Sequence, residues 1–100
     1  MTAKGGYIYI VANKTKEVLY IVATSNLYAR ITQHRNGKGS VFTKRYNCKH
    51  LMYFQFFETI VEAIDKEKKM KRWNRAWKDK KITEFNPDWQ DLFDKIEDFN

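Results

Sequence analysis

The sequence predicts an α+β domain: a small antiparallel sheet with helices packed on it, in the order β-β-α-β-α-α. Three observations carry that prediction. YIYIVA (7–12) and KEVLYIVA (16–23) alternate with period two and flank a short polar turn. A third apolar run, LMYFQFF (51–57), reads as another strand. Most remaining apolar residues recur at helical spacing.

Asn13-Lys14-Thr15 is turn-forming, so the first two strands read as a hairpin. On period two, Tyr7 and Tyr9 share one face and Ile8 and Ile10 the other. In the second strand Val18, Tyr20 and Val22 lie opposite Leu19 and Ile21. Ile8, Ile10, Leu19 and Ile21 form the natural core side. The tyrosine face that remains is either half-buried packing or a site. Thr24 or Ser25 can cap a helix over about 26–36, ended by Gly37 or Gly39. Leu27 and Ile31 are its core positions; Arg30 and His34, one turn apart, project together. Residues 37–50 read as a basic polar loop with Phe42 and Tyr46 embedded. Thr59 and Glu62 fit a capping box, and a long helix is expected to run to about Lys78. The chain breaks at Asn86-Pro87. Asp88 is then expected to cap a short acidic helix with Trp89, Leu92, Phe93 and Ile96 as its apolar face.

One hundred residues with 43% hydrophobic and 16% aromatic content support one domain, 1–100, and exclude a disordered chain. The apolar runs fall far short of the ~20 residues a membrane span needs. MTAKGGYIYIV lacks a signal peptide's apolar core, and a cytoplasmic location is expected. The lone Cys48 excludes an internal disulfide and a Cys-based zinc site. Residues 1–83 carry 18 lysines and arginines against 6 acidic residues, whereas residues 84–100 carry 1 against 6. So basic a field points to a polyanionic partner, and nucleic acid is the commonest one in a cytosol. No motif indicates a protein partner.

Glu67 falls near the middle of the long helix's apolar stripe (Ile60, Ala63, Ile64, Met70, Trp77), with Lys71 and Asn74 close by. A carboxylate there is costly unless paired, metal-bound or at a cleft. The plain account is a Glu67–Lys71 ion pair on a partly solvated face. Brought together, the tyrosines, Arg30, His34 and Glu67 would suit phosphodiester hydrolysis. That reaction needs a hard cation on oxygen, a cationic clamp on the developing charge and a base for water. One glutamate implies one divalent ion, Mg2+ or Mn2+, completed by water and phosphate. Spacing alone does not make these groups converge.

With those residues in view, the sequence resembles the GIY-YIG nuclease family. The match runs through YIY at 7–9, LYIV at 19–22, Arg30, His34 and Glu67. EAIDKEKKMKRWNRAWKDKKI followed by NPDWQDL resembles its small stand-alone bacterial YhbQ-like branch, and the match covers about residues 6–93. The resemblance implies a central three-stranded antiparallel sheet flanked by helices. It also implies Mg2+-dependent cleavage of DNA, as in the family's homing endonucleases, restriction enzymes and excision-repair incision subunit. It implies that Tyr9 and Tyr20 line the site and that either orients or deprotonates water, with Tyr9 the favoured base. Arg30 would bind the scissile phosphate, and His34 would bond a tyrosine or the phosphate and relay the proton. Glu67 would be the one side chain on the metal. Asn86, with Asn74 as second choice, would support the site. Arg30, Lys44, Arg45 and Lys71 are the candidate DNA contacts. Phe42 and Tyr46, among basic residues, are either stacking platforms or loop anchors.

Two departures from the motif stand out. Tyr7 occupies the glycine position of the first half-motif, and Val22 that of the second. Valine beside Tyr20 adds bulk where glycine leaves room. The expected function is a DNA endonuclease, structure-directed and acting in repair or recombination. The alternative is a catalytically weakened or inactive nucleic-acid-binding module, with Val22 as the cause. Weak sequence specificity and strongly salt-dependent binding are expected in either case.

Overall fold

The alternating segments form β1 (Gly6–Ala12), β2 (Leu19–Thr24) and β3 (His50–Phe57) in a computed structural model that describes residues 5–37 and 41–96. They make one antiparallel sheet in the order β2-β1-β3, with β1 central. Among the described residues four helices flank it: α1 (Leu27–Arg35), a short α2 (Val41–Tyr46), α3 (Ile60–Lys71) and α4 (Arg75–Phe85). A 3₁₀ turn, Phe93–Lys95, follows. The α+β class and the order of elements are as the sequence predicts, with α2 inserted before β3 where a basic loop was expected.

Period-two alternation sorts β1 into two cores. Ile8, Ile10 and Ala12 pack with Ile21, Met52, Tyr53, Met70 of α3 and Ile82 of α4. Tyr9 and Val11 pack with Leu27 and Ile31 of α1, Cys48, Leu51, and Leu92 and Ile96 beyond α4. The tyrosine face is therefore a second core. Opposite β1, a register slip between Ile10 and Val11 leaves Met52 as an extra residue, since Ile10 pairs with Tyr53 and Val11 with Leu51. The slip lets Met52 and Tyr53 both join the first core. Gly6 permits close approach of α3: a Cβ there would lie 2.8 Å from the Ile60 Cα.

Local chemistry revises several expected boundaries. The hairpin turn is a wider loop over 13–18, where the Asn13 side chain accepts the Val18 N–H at 3.0 Å. Asn26, rather than Thr24 or Ser25, caps α1, accepting the Ala29 N–H at 3.1 Å. The capping box at Thr59 and Glu62 is present, but the long helix is two helices. Asn74 breaks it by capping α4, accepting the Trp77 N–H at 2.9 Å. Trp77, placed on the apolar stripe, is 60% exposed.

The acidic helix expected after Asp88 is replaced by irregular chain and the 3₁₀ turn. Asp91 accounts for this. Its Oδ1 accepts the Leu51 and Phe93 N–H groups at 3.1 and 3.0 Å. Its Oδ2 accepts from Arg35 at 2.6 Å and lies 3.3 Å from His50 Nδ1. Burial acts to raise the Asp91 pKa, but the Arg35 hydrogen bond, the two backbone donors and the Arg35 charge outweigh it and lower the value. The Arg35 guanidinium also stacks 4.4 Å from the Phe93 ring centre. This clamp ties the last described segment to α1 and β3. No helix among the described residues is long and apolar enough to cross a membrane.

Candidate active site

Leu27, Ile31 and His34 are the buried face of α1, at the i, i+4, i+7 spacing of one helical stripe. His34 is thus carried inward with the two aliphatic residues and is only 2% exposed. Its Nε2 lies 2.7 Å from the hydroxyl of Tyr9, in the middle of β1. Its Nδ1 lies 3.1 Å from Thr43 Oγ1 on α2. Tyr9, His34 and Thr43 form a buried polar chain from the central strand to a flanking helix. No buried side-chain nitrogen or oxygen among the described residues lacks a hydrogen-bond partner.

Arg30, half-buried one turn before His34, donates to Gln33 Oε1 at 2.8 Å and reaches both members of the Tyr9–His34 pair electrostatically. Burial raises the Tyr9 phenol strongly; the Arg30 charge and hydrogen bond oppose the rise, and Tyr20 adds to it. Burial, followed by the Arg30 charge, pushes His34 down to about 4. At neutral pH the pair is a phenol and a neutral imidazole.

Val22 lies directly across from Tyr9 in the β1–β2 register, and Tyr20 across from Val11. Both Val22 and Tyr20 are partly buried against the tyrosine-face core. On α3 the Glu67–Lys71 pair forms, with Lys71 Nζ 2.7 Å from Glu67 Oε2. The same ammonium lies 5.6 Å from the centre of the Tyr20 ring. Tyr9 is thus linked to His34, Arg30 and Tyr20, and Lys71 lies near both the Tyr20 ring and Glu67. The Glu67 side chain is 19% exposed.

Lys44 and Arg45 are exposed on the short helix whose Thr43 bonds His34. Arg45 leans over Tyr46, 5.7 Å from its ring centre. The Phe42 side chain lies outside the described residues. The two asparagines each hold a turn or cap. Asn86 donates to the Met52 and Gln90 carbonyls at 3.1 and 2.8 Å, holding the turn after α4 against β3. Asn74 is the α4 cap. Thr43 was missed from sequence. A threonine nine residues beyond the histidine, in a segment read as loop, has no spacing that marks it.

Among the described residues, no group of three or more His, Cys, Asp and Glu could hold a metal ion. Glu67 offers one hard oxygen donor group beside a basic side chain. A cation that keeps most of its water shell fits such a site, and Mg2+ is that kind of ion.

Fold and cluster together define an α+β domain in which a three-stranded sheet presents tyrosines to an arginine and a histidine on the helix after its hairpin. The model of the GIY-YIG catalytic domain matches residues 5–83, and the chain belongs to the GIY-YIG family. It is 38% identical over 78 residues to a UPF0213 protein of Staphylococcus haemolyticus, covering 78% of this chain and 94% of the relative. It is 40% identical over 72 residues to a UPF0213 protein of Clostridium perfringens, covering 72% and 76%. No solved structure matches it.

Proposed function

We propose that this chain is a DNA endonuclease that hydrolyses phosphodiester bonds with one divalent cation, Mg2+ or Mn2+. The observation that carries the reading is the buried Tyr9–His34 hydrogen bond beside Arg30, in a domain of a nuclease family. Arg30 binds the scissile phosphate and neutralises its developing charge. Tyr9 takes the proton of the attacking water and passes its own to His34. Tyr20 orients that water from the edge strand. Glu67 would hold the cation, which supplies Lewis-acid polarisation of the phosphate oxygen and acidifies bound water. Lys71, paired with Glu67, would contact the DNA backbone. Lys44 and Arg45 extend the basic surface from α2. Contacts to the DNA backbone carry no sequence information, so the proposed action is on DNA structure rather than sequence, in repair or recombination.

Nicking of supercoiled and branched DNA with Mg2+ or Mn2+ tests this. Wild type should cleave, and Glu67→Ala should lose at least about 100-fold while retaining its fold and DNA binding. Tight binding without cleavage in wild type would sink the enzyme reading and leave a DNA-binding module.

A further inference from the structure

His34 has a partner at each ring nitrogen, and a neutral imidazole donates from only one of them. The phenol decides which: its O–H is a stronger donor, and its oxygen a weaker acceptor, than the aliphatic hydroxyl of threonine. His34 Nε2, at 2.7 Å, is in reach of the phenol's proton. With Nε2 accepting, the imidazole hydrogen sits on Nδ1, facing Thr43 Oγ1 at 3.1 Å. A threonine hydroxyl can accept there and rotate its own hydrogen elsewhere. Thr43 is 3% exposed, so water does not readily replace it.

We propose that Thr43 is a positioning residue that fixes His34 as the Nδ1–H tautomer and keeps the Nε2 lone pair aimed at the Tyr9 hydroxyl. The tautomer stands independently; its catalytic consequence rests on the nuclease reading. In the reaction, the water oxygen bonds to phosphorus as its proton moves to Tyr9 Oη. The Tyr9 proton moves to His34 Nε2. The bond from phosphorus to the leaving oxygen breaks, and that oxygen takes a proton from solvent. The imidazolium so formed keeps its Nδ1–H on Thr43, as the orienting partner of a catalytic histidine does. A phosphate bound at Arg30 offsets the charge that helps keep His34 neutral at rest.

The test is the ring nitrogen spectrum of His34 in the 15N-labelled full chain near neutral pH, alongside nicking kinetics. Wild type and Thr43→Ser should show a protonated Nδ1 and an unprotonated Nε2. Thr43→Val, which keeps the shape and removes the acceptor, should shift the ring toward the Nε2–H form. In nicking, Thr43→Val should lower kcat by about 10- to 100-fold with KM little changed, and Thr43→Ser should restore it. A wild-type ring in the Nε2–H form overturns the proposal, and so does a Thr43→Val ring identical to wild type. A wild type that shows the Nδ1–H tautomer but never nicks DNA upholds the positioning role and refutes only the nuclease reading.

Discussion

The two sides of β1 are built from one strand and buried almost equally, yet they differ in kind. Ile8, Ile10 and Ala12 meet α3 and α4 through aliphatic groups, whereas Tyr9 meets α1 through a hydrogen bond to His34, which in turn bonds Thr43 of α2. The aliphatic side gains stability from area removed from water and is indifferent to protons. The tyrosine side buries three polar groups that stay compatible with the core only while each has its partner. Adjacent residues of the same strand thus serve opposite environments, one an aliphatic core and one a buried polar chain.

The largest expected effects come from breaking each side separately. Ile10→Ala should cost about 2–5 kcal/mol of stability through the cavity it leaves, with nicking per folded molecule unchanged. Tyr9→Phe should cost only about 1–3 kcal/mol, from the unpaired His34 nitrogen, but lower nicking at least about 100-fold. Urea unfolding and single-turnover nicking on the same preparations separate the two. A Tyr9→Phe protein that unfolds but nicks normally while folded would erase the distinction.

Acid sharpens the contrast. His34 takes a proton near pH 6.5 when unfolded but resists until about 4 when folded. Between those values the unfolded chain binds more protons, so stability falls as pH drops through that window, by roughly 3 kcal/mol in all. His34→Gln should remove most of that dependence in urea unfolding at several pH values. Asp91 acts in the same direction lower down. Its folded pKa is depressed, so its contribution is present above the ordinary carboxylate range and is lost as pH falls through the lowered value.

Much of this was legible because it follows from local period. The hairpin faces, the α1 core positions and the Thr59–Glu62 box are all readable over a few residues. What was not legible depends on partners far along the chain. Asn74 starts α4 just beyond the Arg72 cap of α3, inside a run whose helical periodicity continues through it. Asp91 stops a helix from forming by bonding Leu51, forty residues earlier. His34 lies on the buried stripe with Leu27 and Ile31, yet its Thr43 partner sits on a helix that basic composition disguised as loop. Asn86 was expected at the site from the family resemblance, and its bonds to the Met52 and Gln90 carbonyls join chain segments that the sequence does not show to be neighbours.

A smaller effect is expected at the clamp. Asp91→Ala removes the partner of Arg35 and of two backbone N–H groups, away from the Tyr9–His34–Thr43 chain. It should cost about 1–3 kcal/mol and speed amide exchange at Leu51 and Phe93, leaving the His34 tautomer unchanged. A changed tautomer would mean that the clamp and the site are one unit.

The smallest expected effect is at Val22, where the family motif has glycine. Val22 faces Tyr9 across the register, half-buried, so its side chain fills space beside the phenol. The ladder runs unbroken on both sides of it, and the described non-glycine residues with positive φ are Lys16, Asn47 and Trp89. Valine therefore sits in ordinary extended backbone, which suits it better than glycine. Val22→Gly should cost about 1–2 kcal/mol, from lost burial and added chain entropy. Its effect on nicking should stay under tenfold, because Tyr9 is held by His34 rather than by Val22. Nicking by both proteins, measured at a temperature where each is folded, checks this. An inactive wild type that Val22→Gly restores would reverse the reading: the bulk beside Tyr9 would then be what silences an otherwise intact site.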